Sequence, residues 1–277
     1  MGTFILVAII VMWTFMLWAG WSLFFLIDPG AVVLAENGQA TNFLEVFYFT
    51  GYTLITLGNG EYRPEGPFWQ LATLAAATTG FFVITLSITF LLSVLPAVVE
   101  KRQLSTYLAS LGMAPQQILI ENWDGTGCQS LTRHLGEVNN TLSGVAQQHL
   151  AYPVLHYFHS TDCRTALPLR VVALDEALSY LCYGLDSCRE TANDTRPLRR
   201  TVRWFLDTLE NVFINAHDQA PPPSSLEKLR GHAFTLKTRR DYESGIEKNA
   251  ERRQLLLGYL RNDGWAWQDI YQEMDHS

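Results

Sequence analysis

Positive charge is nearly absent from the first hundred residues of this chain. Of the 20 lysines and arginines among 277 residues, only Arg63 precedes Lys101. Cysteine is missing from the same part, since the four cysteines are Cys128, Cys163, Cys182 and Cys188. The chain therefore has a long amino-terminal part of low charge and a charged carboxy-terminal part. The mean hydropathy of +0.05 hides this division.

Motifs of catalysis are missing as well. The sequence shows no nucleophile next to a general base, no pair of acids and no glycine-rich phosphate loop, and an active site is built from such groups. The carboxy-terminal part also lacks a glycine-rich nucleotide fingerprint that follows a strand. We therefore expect no enzyme activity and no cofactor, and we expect no nucleic-acid partner.

Two stretches contain no charged residue at all. Thr3–Ile27 has 25 residues and Phe68–Val99 has 32, and each exceeds the ~20 residues with which a helix crosses a bilayer. A cleaved signal peptide is the alternative for the first stretch, but the basic start and the cleavage site of such a peptide are absent. We predict two membrane-spanning helices, an outer helix over 3–27 and an inner helix over 68–99.

The distribution of charge predicts the orientation of the chain in the cell membrane. Short flanks rich in lysine and arginine stay on the cytoplasmic side, and Lys101 and Arg102 directly follow the second stretch. Both termini of this multi-pass protein are then cytoplasmic, and the acidic loop over 28–67 lies outside, with membrane lipids around the spans. Disulfides are uncommon in the cytoplasm, so we expect the four cysteines to be free thiols.

A third apolar stretch lies between the two predicted spans, within NFLEVFYFTGYTLITLGNGEY. It is too short to cross the bilayer, and apolar segments of this length are typical of re-entrant or interfacial helices. Thr41 or Asn42 can cap such a helix, which we predict over 43–55. Backbone that is not helical at membrane depth must be buried in protein or line a water-filled cavity. The Gly58-Asn59-Gly60 stretch is therefore expected to face water or protein.

The glycines of this stretch permit unusual backbone conformations. Gly58 and Gly60 can adopt the dihedral angles that aim consecutive carbonyl oxygens in the same direction. Such oxygens can replace the hydration shell of a cation. An ordinary turn is the alternative interpretation, because Asn-Gly is a common turn dipeptide.

The order of span, short helix, TLGNG and span resembles the two-transmembrane prokaryotic type of the potassium-channel superfamily. TLGNG itself resembles the threonine-valine-glycine-tyrosine-glycine filter of that superfamily, and the resemblance covers residues 3–102. It implies a homotetramer in which each chain supplies one quarter of a ring of oxygens around K⁺ or another monovalent cation. The ion-binding residues that it implies are Thr56, Leu57, Gly58, Asn59 and Gly60. Glu61 would then lie at the outer mouth.

Two residues differ from the pattern of the superfamily. Asn59 replaces the filter tyrosine, and Glu61 replaces an aspartate. The tyrosine of the usual filter reaches aromatic residues of the pore helix and holds the ring at its diameter. We expect Asn59 to be too short for that contact, although Tyr48 and Phe49 lie nearby. A non-selective channel for Na⁺ and K⁺ is therefore the alternative to a potassium channel.

Two residues of the predicted inner helix are candidate gating hinges. Gly80 lies 20 residues after Gly60, where channels of this class have a hinge glycine, and close helix packing is the alternative role. Pro96 removes a backbone hydrogen bond and bends a helix. It marks either a bend at an intracellular gate or the break where the span ends.

The remaining residues are predicted as a mostly helical cytoplasmic region in two parts, 103–220 and 221–277. Apolar residues at helical spacing predict helices over 131–158, 165–185 and 197–216, and QQILIENW is a candidate for one short strand. Three prolines at 221–223 predict a linker, and a charged helical segment over 224–261 follows it. A tail with two tryptophans ends the chain.

Two polar groups of this region have alternative interpretations. The first, His156, His159 and Cys163, offers metal ligands on one helical face, but packing or solvated histidines are commoner and we predict no metal. The second is a basic cluster, which either contacts anionic lipid headgroups or forms a solvated helix face with acidic partners. Its members are Arg196, Arg199, Arg200 and Arg203.

These observations predict an all-α membrane protein. Residues 1–102 form a pore domain with the filter at 56–60, and the helical cytoplasmic region assembles it or responds to a regulator that the sequence does not identify. The predicted function is a homotetrameric channel that conducts K⁺ passively. A membrane-anchored scaffold or sensor that does not conduct is the alternative from another class.

Overall fold

A computed structural model describes residues 2–125, 127–210, 213–230, 232 and 234–271. The chain divides into two compact units, Met1–Leu95 and Pro96–Ser277. Helices dominate both, which confirms the predicted all-α class.

The first helix, α1 (Gly2–Phe25), carries no charged residue. Large apolar side chains such as Phe4, Trp13 and Leu23 are exposed on it. A helix that is apolar all round and not covered by protein is typical of a membrane span. Both α1 and the helix over Gly66–Ser110 are long and apolar enough to cross a membrane, in agreement with the two predicted spans.

The short helix α2 (Phe43–Leu54) begins as predicted, with Asn42 and not Thr41 as its cap. The Asn42 Oδ1 accepts a hydrogen bond from the Glu45 amide at 3.1 Å, and the Glu45 carboxylate accepts one from the Asn42 amide at 2.7 Å. This reciprocal capping box satisfies two amides that the helix cannot bond internally. It fixes where α2 starts.

Two three-residue strands flank α2 and were not predicted. Strand β1 (Val32–Leu34) pairs antiparallel with β2 (Tyr62–Pro64). Val32 is buried in the core of the first unit, together with Phe25, Val46 and Phe49. The strand pair therefore joins the chain before α2 to the chain after it.

The second long helix, α3, runs from Gly66 to Ser110 and is longer than the predicted 68–99. Pro96 lies inside it. The helix is therefore not broken at Pro96. Further on, the Lys101 Nζ donates to the carbonyl oxygens of Leu155 and Phe158, at 3.3 and 3.0 Å.

The second unit is a bundle of helices. They are α4 (Pro115–Glu121), α5 (Gln129–Ala151), α6 (Leu167–Ser179), α7 (Arg189–Asp194), α8 (Arg196–Glu210), α9 (Glu227–Arg230), α10 (Arg239–Glu247) and α11 (Ala250–Asn262). Turns of 3-10 helix lie at Pro153–Tyr157 and Trp267–Tyr271, and a π-helical turn continues α6 over Tyr180–Gly184.

Two sequence predictions for this unit can be compared with the structure. QQILIENW is not a strand, because its first six residues belong to α4, where Pro115 occupies the first turn and Asn122, the C-cap, donates to the Ile118 carbonyl at 2.9 Å. Proline at a helix start has a suitable φ and lacks only an amide that would be unbonded. The charged helical segment predicted over 224–261 contains three helices, α9, α10 and α11, and Thr238 caps the second of them.

Helix α6 is the centre of this bundle. Every one of its residues is buried, and α4, α8 and α11 pack around it. The described part of the last segment shares the same core through Leu255, Leu256 and Ile270. The prolines at 221–223, predicted as a linker, contact this core, because the Arg253 side chain donates to the Pro222 carbonyl oxygen at 3.0 Å.

Two buried carboxylates on α6 face arginines from α11. An Arg252 Nη2 lies 3.1 Å from Asp175, and Arg253 donates a hydrogen bond to Glu176. Burial raises the pKa of both carboxyls, while the nearby arginines oppose that shift. A buried charge is tolerated when it is paired, so these contacts fix α11 against α6.

All four cysteines are free thiols, as expected. The Cys128 and Cys188 sulfurs lie 3.5 Å apart in the core.

Acid should destabilise this unit through His149. Its ring is 3 % exposed, and burial lowers its pKa to about 4. The unfolded chain therefore binds the proton more readily, and stability falls as the pH drops from 6.5 towards 4. We expect a loss of about 2 kcal/mol between pH 7.5 and pH 5 from this residue. Thermal unfolding of the full chain in detergent should show a weaker pH dependence in His149→Gln, and an unchanged dependence would contradict the assignment.

Candidate functional site

The predicted pore helix α2 is held against α1 by Trp18. The indole Nε1 donates to the Phe47 carbonyl oxygen at 2.8 Å, and the indole stacks on the Phe47 ring with centroids 4.1 Å apart. A Cβ at Gly51 would lie 2.8 Å from the same indole. Glycine at this position is therefore what lets the indole lie flat against the helix.

The helix ends in a Schellman motif that leads directly into TLGNG. The Thr56 amide donates to the Thr53 carbonyl at 3.0 Å, and the Leu57 amide donates to the Tyr52 carbonyl at 2.9 Å. Thr56 adopts a φ of 57°, the left-handed conformation in which this motif usually has glycine. A β-branched residue there is a strained exception, with a cost of about 1–3 kcal/mol.

The sign of φ alternates along the five residues of the predicted filter. It is positive at Thr56, Gly58 and Gly60, with values of 57°, 64° and 74°, and it is not positive at Leu57 or Asn59. In an ordinary strand the carbonyls alternate between two sides. Alternation in φ turns every second peptide group over, so that successive carbonyl oxygens can face the same side.

The side chain of Asn59 reaches the pore helix. Its Nδ2 donates to the Tyr48 hydroxyl at 2.8 Å and lies 3.4 Å from the Glu61 carboxylate. The expectation that Asn59 is too short for such a contact is therefore wrong, because Tyr48 covers most of the distance from the helix side. The hydrogen bond joins the predicted filter to α2.

Tyr48 belongs to an aromatic cluster with Tyr52 and Tyr62. Its ring packs edge-on against both, with centroid distances of 5.3 and 6.2 Å. The Tyr52 hydroxyl donates to the Tyr62 carbonyl at 3.3 Å. Since Tyr62 begins β2, this cluster links the chain that leaves the predicted filter to α2.

Gly80 lies where α3 passes the end of α2. A Cβ at Gly80 would be 2.1 Å from the Leu54 carbonyl oxygen and 2.7 Å from the Leu54 Cα. Beside it, the Trp21 Nε1 donates to the Thr79 hydroxyl at 3.0 Å. The geometry supports the close-packing alternative for Gly80, because only a residue without a side chain permits this backbone contact.

Gly80→Ala should destabilise the first unit. The methyl group would overlap backbone that cannot rotate away, and overpacking of this kind costs about 1–3 kcal/mol. We expect a lower unfolding temperature of the purified protein in detergent. Gly20→Ala is the matched control, since nothing lies within 4 Å of a Cβ at Gly20. A variant of normal stability with an altered open probability would instead favour the hinge.

The acidic loop between α1 and α3 is mostly exposed. Glu61 follows the predicted filter and its carboxylate contacts Asn59. Arg63 pairs with Glu65 at 3.2 Å on the surface. The arginine charge is thus partly compensated, and Glu61 remains as an anionic group next to TLGNG.

The histidine group of the second unit packs and bonds internally. His156 stacks on Phe213 at 4.2 Å between ring centroids, and His159 contacts the Asp263 carboxylate. Cys163 is partly buried against the core. The described residues contain no group of three or more ligands that could hold a metal ion.

Comparison with known proteins gives two matches. Residues 5–96 match the family model described as "Ion channel". The uncharacterized membrane protein YdjJ of Bacillus subtilis (strain 168) is 31% identical over 267 residues, which cover 96% of this chain and 78% of that protein. The chain belongs to the same family as YdjJ, and its residues 5–96 form an ion-channel domain. No solved structure matches it significantly.

Two points follow from these matches. The ion-channel domain points to transport across a membrane. The similarity to YdjJ extends through the second unit, so the helical region is shared by the two proteins along with the membrane part.

Sequence reasoning missed two contributors to the geometry of the site. Trp18 and Gly51 are 33 residues apart, and no local spacing relates them. A glycine inside the short apolar α2 was the available signal, because glycine in a helix interior costs stability and usually has a packing reason.

Proposed function

We propose that the protein is a homotetrameric channel that conducts K⁺ passively through a ring of backbone oxygens. One observation carries the proposal: the alternating sign of φ from Thr56 to Gly60, directly after the end of α2. The ligands in this proposal are the Thr56 hydroxyl and the backbone carbonyl oxygens of the segment. They replace water around a dehydrated cation.

The surroundings of this segment suit a cation. The carboxy-terminal end of α2 is the negative end of its helix dipole, and Glu61 adds a carboxylate beyond the segment. Each chain contributes one such segment, whereas an ion must be surrounded on all sides. Four chains around a common axis complete the ring, as in the superfamily that TLGNG resembles.

Potassium selectivity is supported by the contacts that restrain the segment. A missing filter tyrosine alone would leave the ring loose and favour non-selective conduction. The hydrogen bond of 2.8 Å between Asn59 and Tyr48 supplies an anchor in its place. The anchor is reversed compared with the usual filter, because the long aromatic side chain comes from the pore helix and the short polar one from the filter.

The proposed orientation places both termini in the cytoplasm. It rests on Lys101 and Arg102 after the second span and on the acidic loop between the spans. Acidic residues at the outer mouth would concentrate cations there.

Planar-bilayer recording tests the proposal. Purified protein is measured with potassium on one side and sodium on the other. We expect a reversal potential far from zero, with the sign given by a potassium permeability much larger than the sodium permeability. A reversal potential near zero would indicate the non-selective channel, and silence in an assembled, folded sample would indicate a scaffold. Mass measurement in nanodiscs should give a tetramer, and a stable monomer or dimer alone would contradict the pore.

Tyr48→Phe should reduce the preference for potassium. It removes the hydroxyl that accepts from Asn59 and keeps the aromatic packing with Tyr52. We expect the reversal potential to move towards zero, because the sodium permeability rises relative to the potassium permeability. Asn59→Ala should have the same effect. The effects should not add in the double variant, because both remove one hydrogen bond. Tyr62→Phe is the control, since the Tyr62 hydroxyl has no hydrogen bond within the described chain.

Asn59→Tyr distinguishes the two views of the filter. If the ring is loose without a tyrosine, Asn59→Tyr combined with Glu61→Asp increases potassium preference. If the reversed anchor holds the ring, the same change breaks the bond to Tyr48 and lowers the preference. The hydrogen bond to Tyr48 favours the second outcome.

A further inference from the structure

The second unit contains a cavity of about 510 Å³ beside the first turns of α8. Residues of α7, α8, α11 and the π-helical turn line it. The charged residues in its lining are Arg196, Arg199, Arg200, Arg203 and Arg252. No carboxylate belongs to the lining in the part of the chain that the structure describes.

The arginines of α8 are placed on one face by their spacing. Arg196, Arg199, Arg200 and Arg203 follow the pattern i, i+3, i+4 and i+7, and residues with this spacing are neighbours on a helix. Three of them lie in the first turns, where the positive end of the helix dipole disfavours cations. An anion in the cavity would relieve that repulsion.

Two of the α8 arginines already have partners. Arg203 pairs with Asp207 and Glu251, at 2.8 Å each. The Arg199 guanidinium lies 5.4 Å from the centre of the Tyr183 ring and donates to Asn249 at 3.3 Å. The predicted alternative of acidic partners on the helix face therefore applies to Arg203.

Arg196 and Arg200 differ from these. Both are exposed, and neither makes a hydrogen bond or ion pair with another described residue. Two uncompensated guanidinium groups thus face the same cavity.

Arg252 adds a guanidinium from another helix to the lining. Its side chain is 10% exposed and lines the cavity. Its contact with Asp175, at 3.1 Å, lacks hydrogen-bond geometry, and its Nε and Nη2 have no hydrogen-bond partner in the described chain. The nearby Asp175 carboxylate balances the charge of Arg252, so the unpaired positive charge of the cavity lies on Arg196 and Arg200.

We propose that this cavity binds a phosphorylated small molecule of nucleotide size. Guanidinium groups match the oxygens of phosphate with two parallel hydrogen bonds, and Arg196 and Arg200, which have no carboxylate partner among the described residues, favour a negatively charged ligand. Small-molecule sites have volumes of about 300–1,000 Å³, so this cavity is far larger than one phosphate ion. The half-buried Tyr183 provides an apolar wall for the remainder of the ligand.

Titration of the full chain in nanodiscs of neutral phosphatidylcholine tests the proposal. The probes are ATP, UDP-glucose and inorganic phosphate, and calorimetry measures the binding of each one. We expect saturable binding of at least one of the two larger probes and weaker binding of inorganic phosphate. Arg196→Gln and Arg200→Gln should each weaken binding about tenfold, and neither should lower the unfolding temperature because both side chains are exposed and unpaired.

Controls distinguish binding in this cavity from binding elsewhere on the protein and from binding of lipid headgroups. Arg164→Gln removes an exposed arginine outside the cavity, whose partner is Asp162, and should leave binding unchanged. Binding that persists in the Arg196→Gln/Arg200→Gln double variant would overturn the proposal, as would equal affinity for inorganic phosphate and the larger probes. Absence of binding by every probe would also overturn it. Stabilisation that requires phosphatidylglycerol in the nanodisc would assign the arginines to lipid headgroups.

Discussion

Gly58→Ala is expected to abolish the ion current while both membrane helices still insert. Gly58 has a φ of 64°, and nothing lies within 4 Å of a Cβ built on it. Within one chain the change therefore introduces no clash, and its cost there is conformational. The left-handed region costs an alanine about 1–2 kcal/mol, and in a tetramer every subunit carries that cost around one ring. The backbone is expected to leave this conformation and move the carbonyl oxygens away from the ion.

Single-channel recording with matched variants measures this effect. Gly60→Ala should behave like Gly58→Ala, because Gly60 has a φ of 74° and equally open surroundings. Gly20→Ala should conduct normally, since Gly20 is a helical residue with open space and no positive φ. An unchanged single-channel current in Gly58→Ala would show that ions do not pass along this segment. Assembly of each variant is checked by mass, so that loss of current is not mistaken for loss of protein.

The sequence predicted the membrane elements well because their signals are local. Uncharged stretches long enough for a bilayer predict the spans, and a polar cap at Thr41 or Asn42 predicts the start of α2. The three-residue strands were missed because their pairing joins Val33 to Arg63, which no short-range pattern reveals. The role of Gly80 could not be decided either, since the contact that limits it is with Leu54 on another helix.

Asn59 shows why reach cannot be judged from one side chain. Asparagine is shorter than tyrosine, and for this reason Asn59 was expected not to reach the pore helix. In the structure the distance is shared, and Tyr48, 11 residues earlier, contributes the longer part. The exchange of roles between two positions is visible only when both are placed in space.

The burial within the charged carboxy-terminal segment was not predicted, for a different reason. The sequence predicted a charged helical segment, and its pattern did not show that Arg252 and Arg253 are buried. Buried charges cannot be distinguished from solvated ones by composition, because their partners, Asp175 and Glu176, lie over 70 residues earlier in the chain. The same difficulty concealed the arginine-lined cavity, since Arg252 reaches it from another helix.

Arg253→Met is expected to cause the largest loss of stability in the second unit. Arg253 and Glu176 are each 1% exposed in their side chains. The guanidinium also donates to the Pro222 carbonyl at 3.0 Å and lies 5.1 Å from the centre of the Trp267 ring. Removing one member of a buried ion pair leaves an uncompensated charge and costs about 3–5 kcal/mol. Denaturant unfolding of the full chain in detergent measures this loss.

An exposed pair and a double variant provide the controls. Arg239 pairs with Glu243 at 2.8 Å but is 88% exposed, and Arg239→Met should cost less than about 1 kcal/mol. The double variant Arg253→Met/Glu176→Leu should recover much of the stability, because both buried charges are then gone.

The pH dependence of the loss identifies its cause. Burial already raises the pKa of Glu176, and Arg253 opposes that shift, so the pKa should rise further in Arg253→Met. An acid with a raised pKa in the folded state contributes most at low pH and destabilises the protein as the pH rises through that value. The cost of Arg253→Met should therefore be small in acid and grow towards neutral pH. A cost that does not change with pH would assign the effect to lost packing against Trp267 and contradict the uncompensated charge.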